Sequence, residues 1–155
     1  MVVDTVPPTI VWSLTNLVVA AGVSCTAAMP VVTGTNFILA TDPSGVASIT
    51  QTPTNGTLLP LGTNKVFIAV ADPYGNIAYS TNRILVADQT PPVLTLNGSN
   101  PMTNQLGSPF VDPGLTASDA CSGVAQLTTN GAVNINVVGS NLVTYTAVDG
   151  GGNTN

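Results

Sequence analysis

Histidine and glutamate are absent from the 155 residues, and only Lys65 and Arg83 carry positive charge. General bases are thereby reduced to aspartate, and no Ser or Cys stands at a recognisable spacing from a base. No glycine-rich loop joins a strand to a helix, so a phosphate cradle is not encoded. Catalysis is not expected. Two cations against seven Asp, for a net charge of −5, exclude a nucleic-acid footprint, which needs a Lys/Arg-rich face. The same scarcity argues against an anionic membrane surface as partner. No apolar run approaches 18 residues, so no membrane span is expected. The stretch LVVAAGVSC (17–25) has the look of a lipoprotein signal but lacks preceding basic residues, and it reads as a strand.

What is present is threonine (22), asparagine (15), glycine (15) and proline (12), with a hydrophobic fraction of 44%. Thr and Val suit a half-buried pleated surface, whereas Gly, Pro, Asn and Asp suit turns. The residues that normally solvate a helix face, Glu, Lys and Arg, are almost missing. The chain is therefore read as all-β.

An internal repeat divides it. Asp4-Thr5-Val6-Pro7-Pro8 recurs as Asp88-Gln89-Thr90-Pro91-Pro92, and GTNKVFIAVADPYGN (62–76) recurs as GSNLVTYTAVDGGGN (139–153). TDPSGVA (41–47) matches SDACSGVA (118–125) with one insertion, and Asn55-Gly56 matches Asn130-Gly131. Units of this size are domains rather than solenoid turns. They are placed at 1–88 and 89–155. Strands are predicted near 8–12, 17–28, 36–41, 46–51, 64–71 and 77–87. In the second unit they fall near 92–96, 109–117, 124–129, 132–138 and 141–148. Alternation is clearest from Lys65 to Val70 and from Leu142 to Ala147, where every second residue can face a sandwich core. The Asp-x-x-Gly-Asn sequences read as tight hairpin turns. The Pro pairs stiffen the lead into each unit.

Asp-x-x-Pro-Pro, then Gly-Thr/Ser-x-x-Val, then Asp-x-x-Gly-Asn resembles hyalin-repeat and related bacterial immunoglobulin-like domains. PPVLTLNG (91–98) and GSPFVDPGLTASD (107–119) are similar to Ig-like repeats arrayed in bacterial surface and secreted proteins. The resemblance implies two tandem Ig-like β-sandwiches located outside the cell or on its surface. It implies a structural or adhesive module of a stalk, adhesin or filament, with further copies of the repeat as partners. The alternative is a glycan-binding accessory domain of a secreted enzyme, for which Trp12, Tyr74 and Tyr79 are the aromatic candidates. Asn55-Gly56-Thr57 and Asn97-Gly98-Ser99 also satisfy the glycosylation sequon, although Asn-Gly is first a turn signal.

In such a sandwich the leading segment, the second-to-third strand loop and the last hairpin loop share one end. Asp4, Asp42 and Asp72 would gather there in the first unit, and Asp88, Asp119 and Asp149 in the second. Three carboxylates with loop carbonyls and Asn76 or Asn153 could supply the six to eight oxygens that Ca²⁺ takes. The competing reading is that each Asp caps its own turn without metal. Hyalin-type repeats often pair a second-strand Cys with a Cys in the Asp-x-Cys-Ser turn. Here Cys25 holds the first position in one unit and Cys121 the second position in the other. Two thiols, a bond between units, and a bond between chains all stay open.

The first unit continues past its Gly75-Asn76 turn through Arg83-Ile84-Leu85-Val86, whereas the second has two residues after Asn153. The second sandwich is expected to lack its last strand. Truncation of a longer array, a donor strand from another chain, and closure without that strand are the three accounts. Met1-Val2-Val3-Asp4 correspondingly aligns with Leu85-Val86-Ala87-Asp88, the tail of a last strand.

Overall fold

The computed structural model describes residues 3–155, so the alignment of Met1 and Val2 with a preceding strand lies outside the described residues. The chain divides into two compact units, Met1–Ala87 and Asp88–Asn155. Regular structure is entirely β, and among the described residues no helix is long and apolar enough to cross a membrane.

Unit 1 contains β1 (Thr9–Ser13), β2 (Asn16–Ala20), β3 (Thr26–Ala28), β4 (Ile38–Thr41), β5 (Ser48–Thr52), β6 (Leu58–Pro60), β7 (Gly62–Ala71) and β8 (Ile77–Ala87). One sheet has the order β2-β8-β7-β5, and the pairs β1-β4 and β3-β6 complete the unit. The hairpin β7-β8 is the longest element, running in register from Gly62↔Val86 to Ala71↔Ile77. Period-two patterning decides its faces: Val66, Ile68 and Val70 of β7 and Ile84 and Val86 of β8 point inward and are fully buried. They meet Met29, Val32, Ile38 and Leu59 in one core, with Ile10, Leu17, Val19 and Ile49 packed around it. Burying side chains of this size stabilises by about 1.5–3 kcal/mol each relative to exposure. Two apolar faces closing on one core make a sandwich.

Several strands depart from the predicted ones. The stretch 17–28 is two strands, because Gly22 N–H bonds Thr26 O at 2.8 Å and Cys25 N–H bonds Gly22 O at 2.9 Å, closing a turn with Cys25 at φ 60°. β6 has no counterpart among the predicted strands; its three residues are too short to show a period. β1 carries a bulge between Ile10 and Trp12, so Trp12, which alternates in sequence like a core residue, is 41% exposed. β2 pairs β8 in parallel, a long-range contact that local patterning does not encode.

Unit 2 contains β9 (Val93–Leu96), β10 (Leu115–Ser118), β11 (Val124–Asn130) and β12 (Thr144–Asp149), paired β9-β10 and β11-β12. The predicted strand 132–138 does not form. Asn134 and Asn136 there use side chains in place of a ladder: Asn141 Oδ1 accepts from Asn134 N–H at 3.1 Å, and Asn134 Oδ1 from Asn136 N–H at 3.0 Å. The predicted 109–117 shrinks to β10, since Asp112-Pro113-Gly114 turns instead, with Gly114 at φ 69° and its N–H on Asp112 Oδ1. Beyond β12, Val148 bridges Thr154, and Asn155 exchanges both backbone hydrogen bonds with Ala147. Val148↔Thr154 is the counterpart of Ala71↔Ile77, each residue shifted by 77. Little of this unit closes into a core. Leu106, Val137, Val138 and Leu142 stay largely exposed, and all four line a groove of about 900 Å³ with Leu96 and Met102.

Candidate functional site

The sequence-selected aspartates come together in both units. In each, one carboxylate oxygen from every member lies within 4.8 Å of the others: Asp4, Asp42 and Asp72 in unit 1, and Asp88, Asp119 and Asp149 in unit 2. Their positions follow from local turn chemistry. Asp72 closes the β7-β8 hairpin, its Oδ1 accepting from Tyr74 N–H at 2.8 Å and Asn76 N–H at 2.9 Å. Asp149 does the same at the end of β12, accepting from Asn153 N–H at 2.7 Å. Asp42 follows β4 and caps Ser44, through its N–H at 2.7 Å and its hydroxyl at 2.6 Å. Asp119 follows β10 and takes the N–H groups of Cys121, Ser122 and Gly123 at 3.0, 2.8 and 3.0 Å. Asp4 and Asp88 lie in the leading segments and cap Val6 and Thr90 at 2.9 and 3.0 Å.

One asparagine ties each trio to its leading segment. Asn76 Nδ2 donates to Asp72 Oδ2 at 2.6 Å and to the Asp4 carbonyl at 3.3 Å. Asn153 Nδ2 repeats this with Asp149 Oδ2 at 2.8 Å and the Asp88 carbonyl at 3.2 Å. The final Asn of Asp-x-x-Gly-Asn is thus a clasp, which its sequence reading as a turn residue and candidate Ca²⁺ ligand did not disclose. In unit 2, Ser122 adds a second tie, its hydroxyl donating to Asp88 Oδ2 at 2.7 Å. The Asp-x-x-Ser spacing of Asp119 and Ser122 is the sequence signal that could have found it.

Electrostatically the trios are anionic. Asp72, Asp88 and Asp149 are 4%, 7% and 2% exposed. Burial pushes Asp72 up, but the side-chain and backbone donors of Asn76, with those of Tyr74 and Gly75, outweigh it and hold the carboxyl below the ordinary aspartate value. For Asp88 the Ser122 hydroxyl is the largest influence, joined by Thr90 N–H against burial, and again the carboxyl is lowered. Each charge is kept by hydrogen bonds to the charged form. A carboxylate offers about four lone-pair sites. Among the described residues Asp4 and Asp42 accept one and two hydrogen bonds respectively, so oxygen sites remain for a cation. The trio's chemistry fits a hard, oxygen-seeking divalent ion.

Asp112, outside both trios, caps Gly114 and also accepts a hydrogen bond from the Tyr145 hydroxyl. That bond holds Asp112 below and Tyr145 above their ordinary values. Cys25 and Cys121 are not free thiols. The aromatic candidates for glycan contact do not share one surface element: Trp12 lies on β1, Tyr74 on the hairpin tip and Tyr79 on β8.

Comparison with known proteins agrees with this architecture. Residues 94–155 match the family described as bacterial surface protein, Ig-like domain. Over 123 residues the chain is 38% identical to hyalin of Strongylocentrotus purpuratus, covering 74% of this chain and 10% of that protein. It is 40% identical to hyalin of Lytechinus variegatus over the same length, covering 74% of this chain and 23% of that one. The chain therefore spans less than a quarter of the length of either hyalin. The likeness that the Pro-Pro and Asp-x-x-Gly-Asn motifs imply is borne out: this all-β chain is similar to hyalin over most of its length and to bacterial surface Ig-like domains over its second unit.

Proposed function

We propose that this chain is a structural and adhesive segment of a surface stalk or filament, in which Ig-like units succeed one another and no catalysis occurs. The observation that carries this reading is repetition. Two units reproduce the same trio, the same clasp and the same hairpin register, while His and Glu, the usual general bases beside Asp, are absent from the sequence. Antibody against the folded chain should label intact, unpermeabilised cells or their shed matrix. Labelling only after permeabilisation would refute an extracellular role.

Each trio is proposed to take Ca²⁺, with the gathered carboxylates of Asp4, Asp42 and Asp72, and of Asp88, Asp119 and Asp149, as the supporting observation. The ion would add a positive centre among like charges and rigidify the leading segment that the Asn clasp already holds. Ligand at a hundred times its dissociation constant stabilises by about 2.7 kcal/mol, a readily measured rise in melting temperature. Calorimetric titration with CaCl₂ tests it, using Asp119→Asn and Asp42→Asn as controls. No heat at millimolar Ca²⁺ would leave the aspartates as turn caps alone.

The side of β12 that Thr154 and Asn155 begin to cover is proposed to accept a partner strand from a further Ig-like repeat, in the same chain or a neighbouring one. Asn155 already pairs with Ala147, and Thr144 and Tyr145 correspond to Phe67 and Ile68, which β8 covers in unit 1. A peptide of sequence IAYSTNRILVA, that of β8, should bind and protect β12 amides from exchange. Unchanged protection would refute the open-edge reading.

A further inference from the structure

The chain's only two cations, Lys65 and Arg83, are direct register partners on neighbouring strands β7 and β8. Both are exposed, on the face of the four-stranded sheet opposite the core. Like charges placed directly opposite are destabilising, so this pairing does not serve the fold. Among the described residues neither side chain has an acidic partner, and the nearest acids along the chain are Asp72, seven residues past Lys65, and Asp88, five residues past Arg83. At strand rise these are about 23 and 17 Å away, beyond the ~8 Å screening length of physiological salt. The cations therefore present a local positive field on a chain of net charge −5.

The same face carries aromatic surface. Phe67 stands opposite Thr81, so it lies diagonal to both Arg83 and Tyr79. Phe67 and Tyr79 are 52% and 73% exposed. Threonines border them: Thr81 on β8, and Thr52 and Thr50 on β5, facing Phe67 and Ala69. Aromatic faces, hydroxyls and a paired cation set in one plane suit a ring-shaped polar ligand bearing a negative group.

We infer that this face of unit 1 binds an acidic glycan, its carboxylate or sulfate held between Lys65 and Arg83 and its sugar rings lying over Phe67 and Tyr79. Charge complementarity decides the occupant. A second copy of this chain is a poor counter-ion, because six of its seven Asp sit in the trios proposed above to take Ca²⁺, and three of these six, Asp72, Asp88 and Asp149, are buried. The seventh, Asp112, is held by Tyr145. An Arg fork and a Lys ammonium together match carboxylate and sulfate geometry. In unit 2 the counterpart of Lys65 is Leu142, so the site belongs to unit 1 alone.

This gives the adhesive reading a ligand class, and its test is independent of the surface-labelling experiment: a stalk without a glycan would still be labelled. Affinity electrophoresis of the full chain through polygalacturonate, dextran sulfate and neutral dextran is the assay. Retardation is expected in one or both acidic polymers and not in neutral dextran, and it should fall as salt rises. Lys65→Gln and Arg83→Gln should each weaken it by about tenfold, the scale of one charged hydrogen bond. Phe67→Ser should weaken it while leaving the salt dependence unchanged. All three positions are solvent-facing, and Trp12 fluorescence melts confirm that the variants fold. Equal retardation by neutral dextran, or by the Lys65 and Arg83 variants, would overturn the proposal. Self-association abolished by Arg83→Gln would also overturn it, assigning the face to a second copy.

Discussion

Truncating Ile68 to alanine removes a side chain of zero exposure from the middle of the unit 1 core. Ile68 sits on β7 between Gln51 of β5 and Ser80 of β8, with Val66 and Val70 on the same face, so strands on both sides restrict collapse into the gap. Substitutions of this kind cost about 2–5 kcal/mol, the upper part applying where the site cannot relax. A unit of 87 residues at ~0.05–0.15 kcal/mol per residue holds about 4–13 kcal/mol in all. Ile68→Ala is therefore expected to lower the urea midpoint of unit 1 by at least a quarter. Ile68→Val, costing about 0.5–1.5 kcal/mol, should move it far less. Trp12, the single tryptophan, lies in β1 and reports on this unit alone. If Ile68→Ala shifts the tryptophan transition no more than Ile68→Val does, the core assignment is wrong.

Other expectations follow from particular positions. Gly131→Ala should destabilise unit 2 strongly, because a Cβ there would overlap the Leu142 carbonyl at a φ of 100°; the aligned Gly56→Ala, at φ 82° with open space around it, should cost only the backbone strain of about 1 kcal/mol. Thermal melts of the two variants compare them directly. With no His, stability should be flat from pH 5 to 8. Asp72 and Asp88 have depressed values in the folded state, so the stability they contribute is present above the unfolded aspartate value and lost as pH falls through their folded ones, below about pH 4. A transition near pH 6 in a melt series would contradict this. A thiol-reactive chromophore should find no reactive cysteine in the native protein until reductant is added.

The repeat makes the trios legible in the sequence, since Asp4, Asp42 and Asp72 recur as Asp88, Asp119 and Asp149 in an order that a sandwich folds to one end. The β7-β8 hairpin was equally plain, because ten residues of period-two burial leave few alternatives. Illegible features were those set by non-local pairing or by side chains that mimic backbone. Val133 to Val138 alternate as well as a strand, yet asparagine caps take their amides. The β1 bulge turned Trp12 outward, and nothing in its neighbours marks an inserted residue. Asn76 and Asn153 read as turn residues and candidate Ca²⁺ ligands, not as clasps, because their second bond goes to a carbonyl 72 and 65 positions away.

The parallel pairing of β2 with β8 has a mechanical consequence. β2 lies near the start of unit 1 and β8 at its end, joined over five register pairs from Asn16↔Arg83 to Ala20↔Ala87. Tension applied to the two ends of the unit pulls these parallel strands past one another, so the hydrogen bonds between them are loaded together in shear. An antiparallel hairpin pulled from its open end would instead peel one bond at a time. Unit 1 is thus expected to yield abruptly at high force rather than to unravel strand by strand.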